Sequence, residues 1–280
     1  REREQGLYFF SAFLSVAPRT MRKFAPAALR FGRTFSKLAT KVEGAPDTTD
    51  FSIYMTQDGM TVSPWHSVPY QQPNGLYTYI NEIPKATTAK MEVSTKVELN
   101  PIKQDMKKGK LRYFTYDMGT NGIPFNYGLM PQTFEDPDES HPDTGCVGDA
   151  DPIDLVELSP TPMTMGGVYQ VKILGCLAMI DEGETDWKII AINANDPRAA
   201  GLDTVADYAK LDGGQKQLDQ VVQWFRMYKT SDGKPENSFA FGGQYKDRDY
   251  ALRIIDEVHT SWKNLCSGKI PNKKGFWVPK

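Results

Sequence analysis

The segment Gly148-Asp149-Ala150-Asp151-Pro152-Ile153-Asp154 places three carboxylates within six residues, just ahead of an apolar run. Like charges this close cost free energy unless cations share them, so the spacing points to oxygen ligation of a hard metal ion. Asp149 and Asp151 share a face if the chain is extended, and Pro152 would bend it so that Asp154 turns back toward them. A second acidic stretch, Asp181-Glu182-Gly183-Glu184-Thr185-Asp186-Trp187-Lys188, separates two strand-like runs, and a hairpin there would bring Asp181 near Asp186. Oxygen donors without His or Cys favour Mg²⁺ over zinc, and several carboxylates suggest several ions. Taken alone, an acidic loop is more often solvated surface or a calcium site, although the calcium-loop Gly at position six and Glu at position twelve are both missing.

The cationic and phenolic company is what raises the weight of this loop. Lys90 and Glu92 alternate onto one strand face, the next strand offers Arg112, and Tyr127, Lys188, Tyr228, Lys229 and Lys234 follow. Each of these by itself is an ordinary surface or rim residue.

The elements that must position them are mainly strands. Leu76–Ile83, Ala89–Glu98, Leu111–Tyr116, Ile153–Leu158, Val168–Ile180 and Trp187–Ile192 are β-branched and aromatic runs bounded by turn residues. A series of short strands hides its edges economically by closing into an antiparallel barrel. Leu218, Val221, Val222, Phe225 and Tyr228, and then Ala251, Ile255, Val258, Trp262 and Leu265, fall at helical spacing. The expected class is therefore mainly β with two flanking amphipathic helices near the C-terminus.

At 280 residues, 40% hydrophobic and 24% charged, the chain has globular composition, and no apolar run is long enough for a membrane-spanning helix. Cys146, Cys176 and Cys266 are an odd number without C-x-x-C spacing, which fits a reducing compartment and argues against a thiolate zinc site. His66, His141 and His259 are too scattered for a polyhistidine site. The net charge of −2 divides into +6 over residues 1–46 and −8 over the rest. No acidic residue occurs between Gln5 and Val42, as in an organelle transit peptide. Phe24, Ala28, Phe31, Phe35 and Leu38 would form one stripe of a helix there. Residues 1–46 are thus expected to be either a targeting remnant, mitochondrial or else plastid, or a retained docking arm held on an organelle protein partner or an anionic surface. A cytoplasmic protein with a basic tail is the remaining alternative. The turn-rich stretch 44–50 marks the expected start of one domain at residue 47, running to residue 280.

In order and spacing, Lys90-Met91-Glu92, Asn100-Pro101-Ile102, Lys107 to Arg112, Asn126-Tyr127-Gly128, Pro131 to Pro137, Gly148 to Asp154, Asp181 to Lys188 and Trp224 to Asn237 resemble the soluble family I inorganic pyrophosphatases of eukaryotic type. The resemblance spans roughly residues 50–266. It implies an OB-like five-stranded β-barrel with flanking helices and hydrolysis of inorganic diphosphate with several Mg²⁺ ions. It further implies that Asp149, Asp154 and Asp186 hold the activating metal pair, that Glu92 and Asp181 hold further ions, and that Asp151 is the general base. Lys90, Arg112, Tyr127, Lys188, Tyr228, Lys229 and, more weakly matched, Lys234 would bind phosphate. One departure is Ile123, where the family usually has a second Tyr near the site. Its loss predicts altered pH dependence or a reduced rate, since a neutral hydrogen bond contributes about 0.5–1.5 kcal/mol. A homodimer is expected, and no nucleic-acid role, because an acidic body repels phosphate chains. A contrasting reading keeps the same fold as a structural or docking subunit of an organelle assembly.

Overall fold

The computed structural model describes residues 38–279. Five strands close on one another: Tyr77–Ile83 (β1), Asn126–Leu129 (β2), Asp154–Glu157 (β3), Val168–Asp181 (β4) and Glu184–Asn193 (β5). β1 pairs with β2, β2 with β3, β3 with β5, β5 with β4, and β4 returns to β1. This is the expected OB-like barrel. One junction departs from the antiparallel expectation, because β3 and β5 run parallel. The β4–β5 hairpin folds over so that its second strand lies beside β3 and repeats its direction.

β4 is long enough to pair with β1 at its start and β5 along most of its length. Its register shifts between Ile173 and Gly175, and a Cβ on Gly175 would lie 2.3 Å from the Lys246 carbonyl oxygen. Glycine there lets an outer segment dock on the strand, with the Cys176 N–H donating to Lys246 O at 3.1 Å.

Several boundaries differ from those read off the sequence. Ala89–Glu98 contributes only Met91–Val93, and Leu111–Tyr116 overlaps only the two-residue strand Lys110–Leu111; neither belongs to the barrel. Asn126–Leu129 is a barrel strand despite its Asn-Tyr-Gly sequence. The junction at 44–50 is a hairpin turn, not a linker, since Leu38–Glu43 pairs with Ser52–Gln57 in a second sheet that also holds Met91–Val93 and Ile102–Gln104. The compact unit thus begins before residue 47. The rest of the expected basic arm lies outside the described residues, as does most of its proposed helical stripe; Leu38, the last member, is in a strand.

The two flanking helices are Gly214–Met227 (α1) and Arg248–Cys266 (α2). α1 buries Leu218, Val221, Trp224 and Phe225, and α2 buries Ala251, Ile254, Ile255, Val258 and Leu265. Each large side chain contributes roughly 1.5–3 kcal/mol by leaving water, and this fixes α1 where its last turn can serve a cavity. The Asp247 side chain caps α2, accepting from the Tyr250 N–H at 2.8 Å.

Candidate active site and metal centre

All five barrel strands contribute side chains to one cavity of about 170 Å³, whose wall also includes Trp224, Phe225, Tyr228 and Lys229 at the end of α1. Of the residues singled out from the sequence, Lys90, Glu92, Arg112, Tyr127, Asp149, Asp151, Asp154, Asp181, Asp186, Lys188, Tyr228 and Lys229 line it. Lys234 does not. It follows the turn Thr230–Asp232 and pairs with Glu182 in a neighbouring surface depression that shares Lys229 with the cavity. Ile123 is also off the wall: it is 0% exposed in the main apolar core.

Local geometry explains the convergence. Asp186 and Lys188 are two apart on β5 and share a face. The β4–β5 connection is a two-residue turn, Glu182-Gly183, with both residues at positive φ, and it brings Asp181 and Asp186 to one cavity. The bend in the acidic loop comes at Ala150, with φ of 75°, rather than from an extended Asp149–Asp151 pair. The Asp151 N–H donates to Asp149 Oδ1 at 2.9 Å and tightens that turn. Residues 135–136 run alongside and stitch the loop down: Glu135 N–H to Asp151 O, Ala150 N–H to Glu135 O and Gly148 N–H to Asp136 O, each 3.0 Å. A Cβ on Gly148 would fall 2.5 Å from the Glu135 carbonyl carbon, so only glycine allows this approach.

The cations are held by the acids around them. Lys188 pairs with Asp154 and Asp186 and donates to the Tyr127 hydroxyl at 2.9 Å, and that hydroxyl donates to Asp154. Lys229 pairs with Asp181, and Lys90 with Glu92. Asp105 bridges Lys90 at 3.2 Å and Arg112 at 2.9 Å. Burial works against charge on Lys90, yet Glu92 and Asp105 hold its ammonium above the usual range. Lys188 behaves likewise under Asp154 and Asp186.

The acids are pushed the other way. Burial, opposed by Lys188 but reinforced by Asp154, lifts Asp186 to about 7. Burial and the Asp186 charge raise Asp149 well above the carboxylate range. Asp151 keeps an exposed surface at the mouth but is enclosed by surrounding protein, and this together with Glu92 lifts it to about 6. Among the described residues, nothing donates a hydrogen bond to the Asp151 carboxylate.

Three acids escaped the sequence reading of roles. Glu82 lines the cavity and accepts from the Val93 N–H at 2.6 Å. Asp105 positions the Lys90–Arg112 pair. Glu135 joins Asp149 and Asp186 in a group whose ligand atoms all lie within 4.8 Å of one another. The Oε2 atom of Glu135 is buried without a hydrogen-bond partner. An all-oxygen donor set with an orphaned buried carboxylate oxygen fits a hard divalent cation. Asp154 is engaged by Lys188 and Tyr127 at the edge of this group.

Comparison with known proteins agrees with the geometry. The family described as inorganic pyrophosphatase matches residues 79–263. The inorganic pyrophosphatase of Zygosaccharomyces bailii is 47% identical over 239 residues, covering 85% of this chain and 83% of that protein. That of Homo sapiens is 45% identical over 242 residues, covering 86% and 83%. The solved inorganic pyrophosphatase of Schistosoma japonicum superposes with a TM-score of 0.81 at 41% identity, covering 85% of this chain and 84% of that one. With its barrel, its carboxylate cluster and this extent of similarity, the chain belongs to the soluble family I inorganic pyrophosphatases, enzymes that use divalent metal to hydrolyse diphosphate.

Proposed function

We propose that the cavity cleaves inorganic diphosphate into two orthophosphates with Mg²⁺ as the divalent ion. Asp149, Asp154 and Asp186 would hold the activating ions, and Glu92 and Asp181 those that arrive with substrate. When bound, the ions would lower the pKa of a bound water and offset charge on the phosphoryl oxygens. Asp151, whose carboxylate accepts no hydrogen bond from the described residues, accepts or orients the proton of that water. Lys90, Arg112, Tyr127, Lys188, Tyr228 and Lys229 grip the phosphates through charge-assisted hydrogen bonds and neutralise the leaving group. The observation that carries this reading is the convergence of seven carboxylates with Lys90, Arg112, Tyr127, Lys188, Tyr228 and Lys229 on one small cavity.

The test is phosphate release from diphosphate, with a nucleoside triphosphate as comparison and Mg²⁺, Zn²⁺ and Ca²⁺ as alternatives. Release should require a divalent ion, be fastest with Mg²⁺ and favour diphosphate. Absence of release with Mg²⁺ would overturn the assignment. The composition of residues 1–46 supports a mitochondrial address or a docking arm on an organelle partner, and the chain is proposed to act as a homodimer. A cut made to test the arm belongs at residue 37, ahead of the paired strand Leu38–Glu43. If the shortened enzyme keeps full activity, cellular location and associations, the arm has neither role.

A further inference from the structure

The cluster of Glu135, Asp149 and Asp186 contains one member that the reading above leaves without work. Glu135 is 3% exposed, and it comes from the segment beneath the acidic loop rather than from the cavity wall. Its Oε1 accepts from the Trp187 N–H at 3.1 Å, which anchors the side chain between Asp186 and Lys188 along β5. Its Oε2 has no hydrogen-bond donor among the described residues. A buried carboxylate oxygen without a donor is costly, and three acidic groups within 4.8 Å of one another add repulsion to that cost. Among the described residues no Lys or Arg pairs with Glu135: Lys188, which contacts Asp186 of the cluster, is taken by Asp154 and Asp186.

Glu135 also borders a second, acidic groove, on which Asp136, Glu139, His141, Asp256 and Glu257 open. Asp149 and Asp186 face the substrate cavity instead. Glu135 therefore stands in the wall between the two, behind the pair that faces diphosphate.

From this geometry we infer that Glu135 is a further carboxylate of the activating cation site, approaching the ion held by Asp149 and Asp186 from the side opposite the substrate, directly or through one water. The inference rests on the metal-dependent reading above. It assigns the free oxygen a partner and explains why an acid is anchored by a backbone N–H at a place where its charge is otherwise uncompensated. Because the anchor uses Oε1, a glutamine can keep the Trp187 bond through its carbonyl oxygen and lose only the charge.

The test is Mn²⁺ binding, followed by electron paramagnetic resonance and by calorimetry in the absence of diphosphate, on the full chain and on Glu135→Gln. The tightest Mn²⁺ affinity should fall 10- to 100-fold in Glu135→Gln, the range expected when a ligand or its immediate support is lost. The melting temperature in chelator should stay the same or rise, since repulsion in the cluster is relieved. Glu135→Asp should retain an intermediate affinity. If wild type binds no Mn²⁺, the metal-dependent reading itself fails. If wild type binds and Glu135→Gln binds equally well, only the role of Glu135 is overturned. Equal loss of melting temperature with and without Mn²⁺ would mark Glu135 as purely structural.

Discussion

Lys188→Met is the substitution that separates the stabilising and catalytic duties of the cavity. The Lys188 side chain is 1% exposed and serves Asp154, Asp186 and Tyr127 together, under the ring faces of Phe225 and Tyr127 at 5.2 and 5.5 Å. Methionine fills similar volume but leaves two carboxylates without their cation. Breaking a buried pair by removing one partner costs about 3–5 kcal/mol. For a unit of this size that is roughly a 6–20 °C fall in melting temperature, measured in chelator. Saturating Mg²⁺ should recover much of the difference, because divalent ions replace the missing positive charge on the same acids. Activity should not return with it: loss of a charge-assisted contact to the transition state lowers kcat by about a hundredfold or more, as removal of one stabilising donor does elsewhere. The readings are calorimetric melting with and without Mg²⁺, and phosphate release at saturating diphosphate. An equal destabilisation in both conditions, or near-normal turnover, would refute the argument that ammonium and metal compete for these carboxylates.

Asp151→Asn should lower turnover tenfold or more while leaving the tightest metal affinity close to that of wild type, because it removes a proton acceptor and not a ligand; calorimetric Mn²⁺ titration beside the activity assay checks both halves. Metal-free stability should have an unusual pH dependence. The folded-state value of Asp186, about 7, lies above the usual 3.8, so between those values the native state holds a proton that the unfolded chain has released. Stability from this group is therefore present at low pH and lost as pH rises toward 7, with a magnitude on the order of 4 kcal/mol. Urea midpoints in chelator should decline over that window in wild type and less so in Asp186→Asn; parallel curves would refute the shift. Lys234→Ala should change kcat/KM by less than about twofold, since a surface pair contributes about 0–1 kcal/mol, and a large loss would return this lysine to the phosphate site.

The acidic loop, the hairpin acids and the alternating Lys90–Glu92 pair were legible because spacing along a strand or turn fixes which face a side chain takes. Lys234 followed the same motif logic, but it stands outside the cavity wall, paired with Glu182 past the turn Thr230–Asp232. Asp105 lies between two family-like motifs and Glu135 inside the Pro131–Pro137 one, yet the role of each shows only in backbone pairing with residues distant in sequence. Asn126–Leu129 escaped as a strand because its polar and glycine positions are accommodated by β1 and β3 on either side, a tertiary effect that propensity does not contain. Leu38–Glu43 was hidden by the charge boundary, which need not coincide with a boundary of the fold.

The ion pairs of Lys90, Lys188 and Lys229 have a consequence for how the enzyme answers its surroundings. The cavity is its own internal salt, each ammonium engaging an acid that the proposed assignment gives to the cofactor. Under the proposed assignment divalent ions would meet these same acids, and a lysine whose acid is taken up by an ion would be free to meet phosphate. Loading with metal and readiness for substrate would thereby be linked, and the rate is expected to rise with free cation more steeply than a single independent site allows.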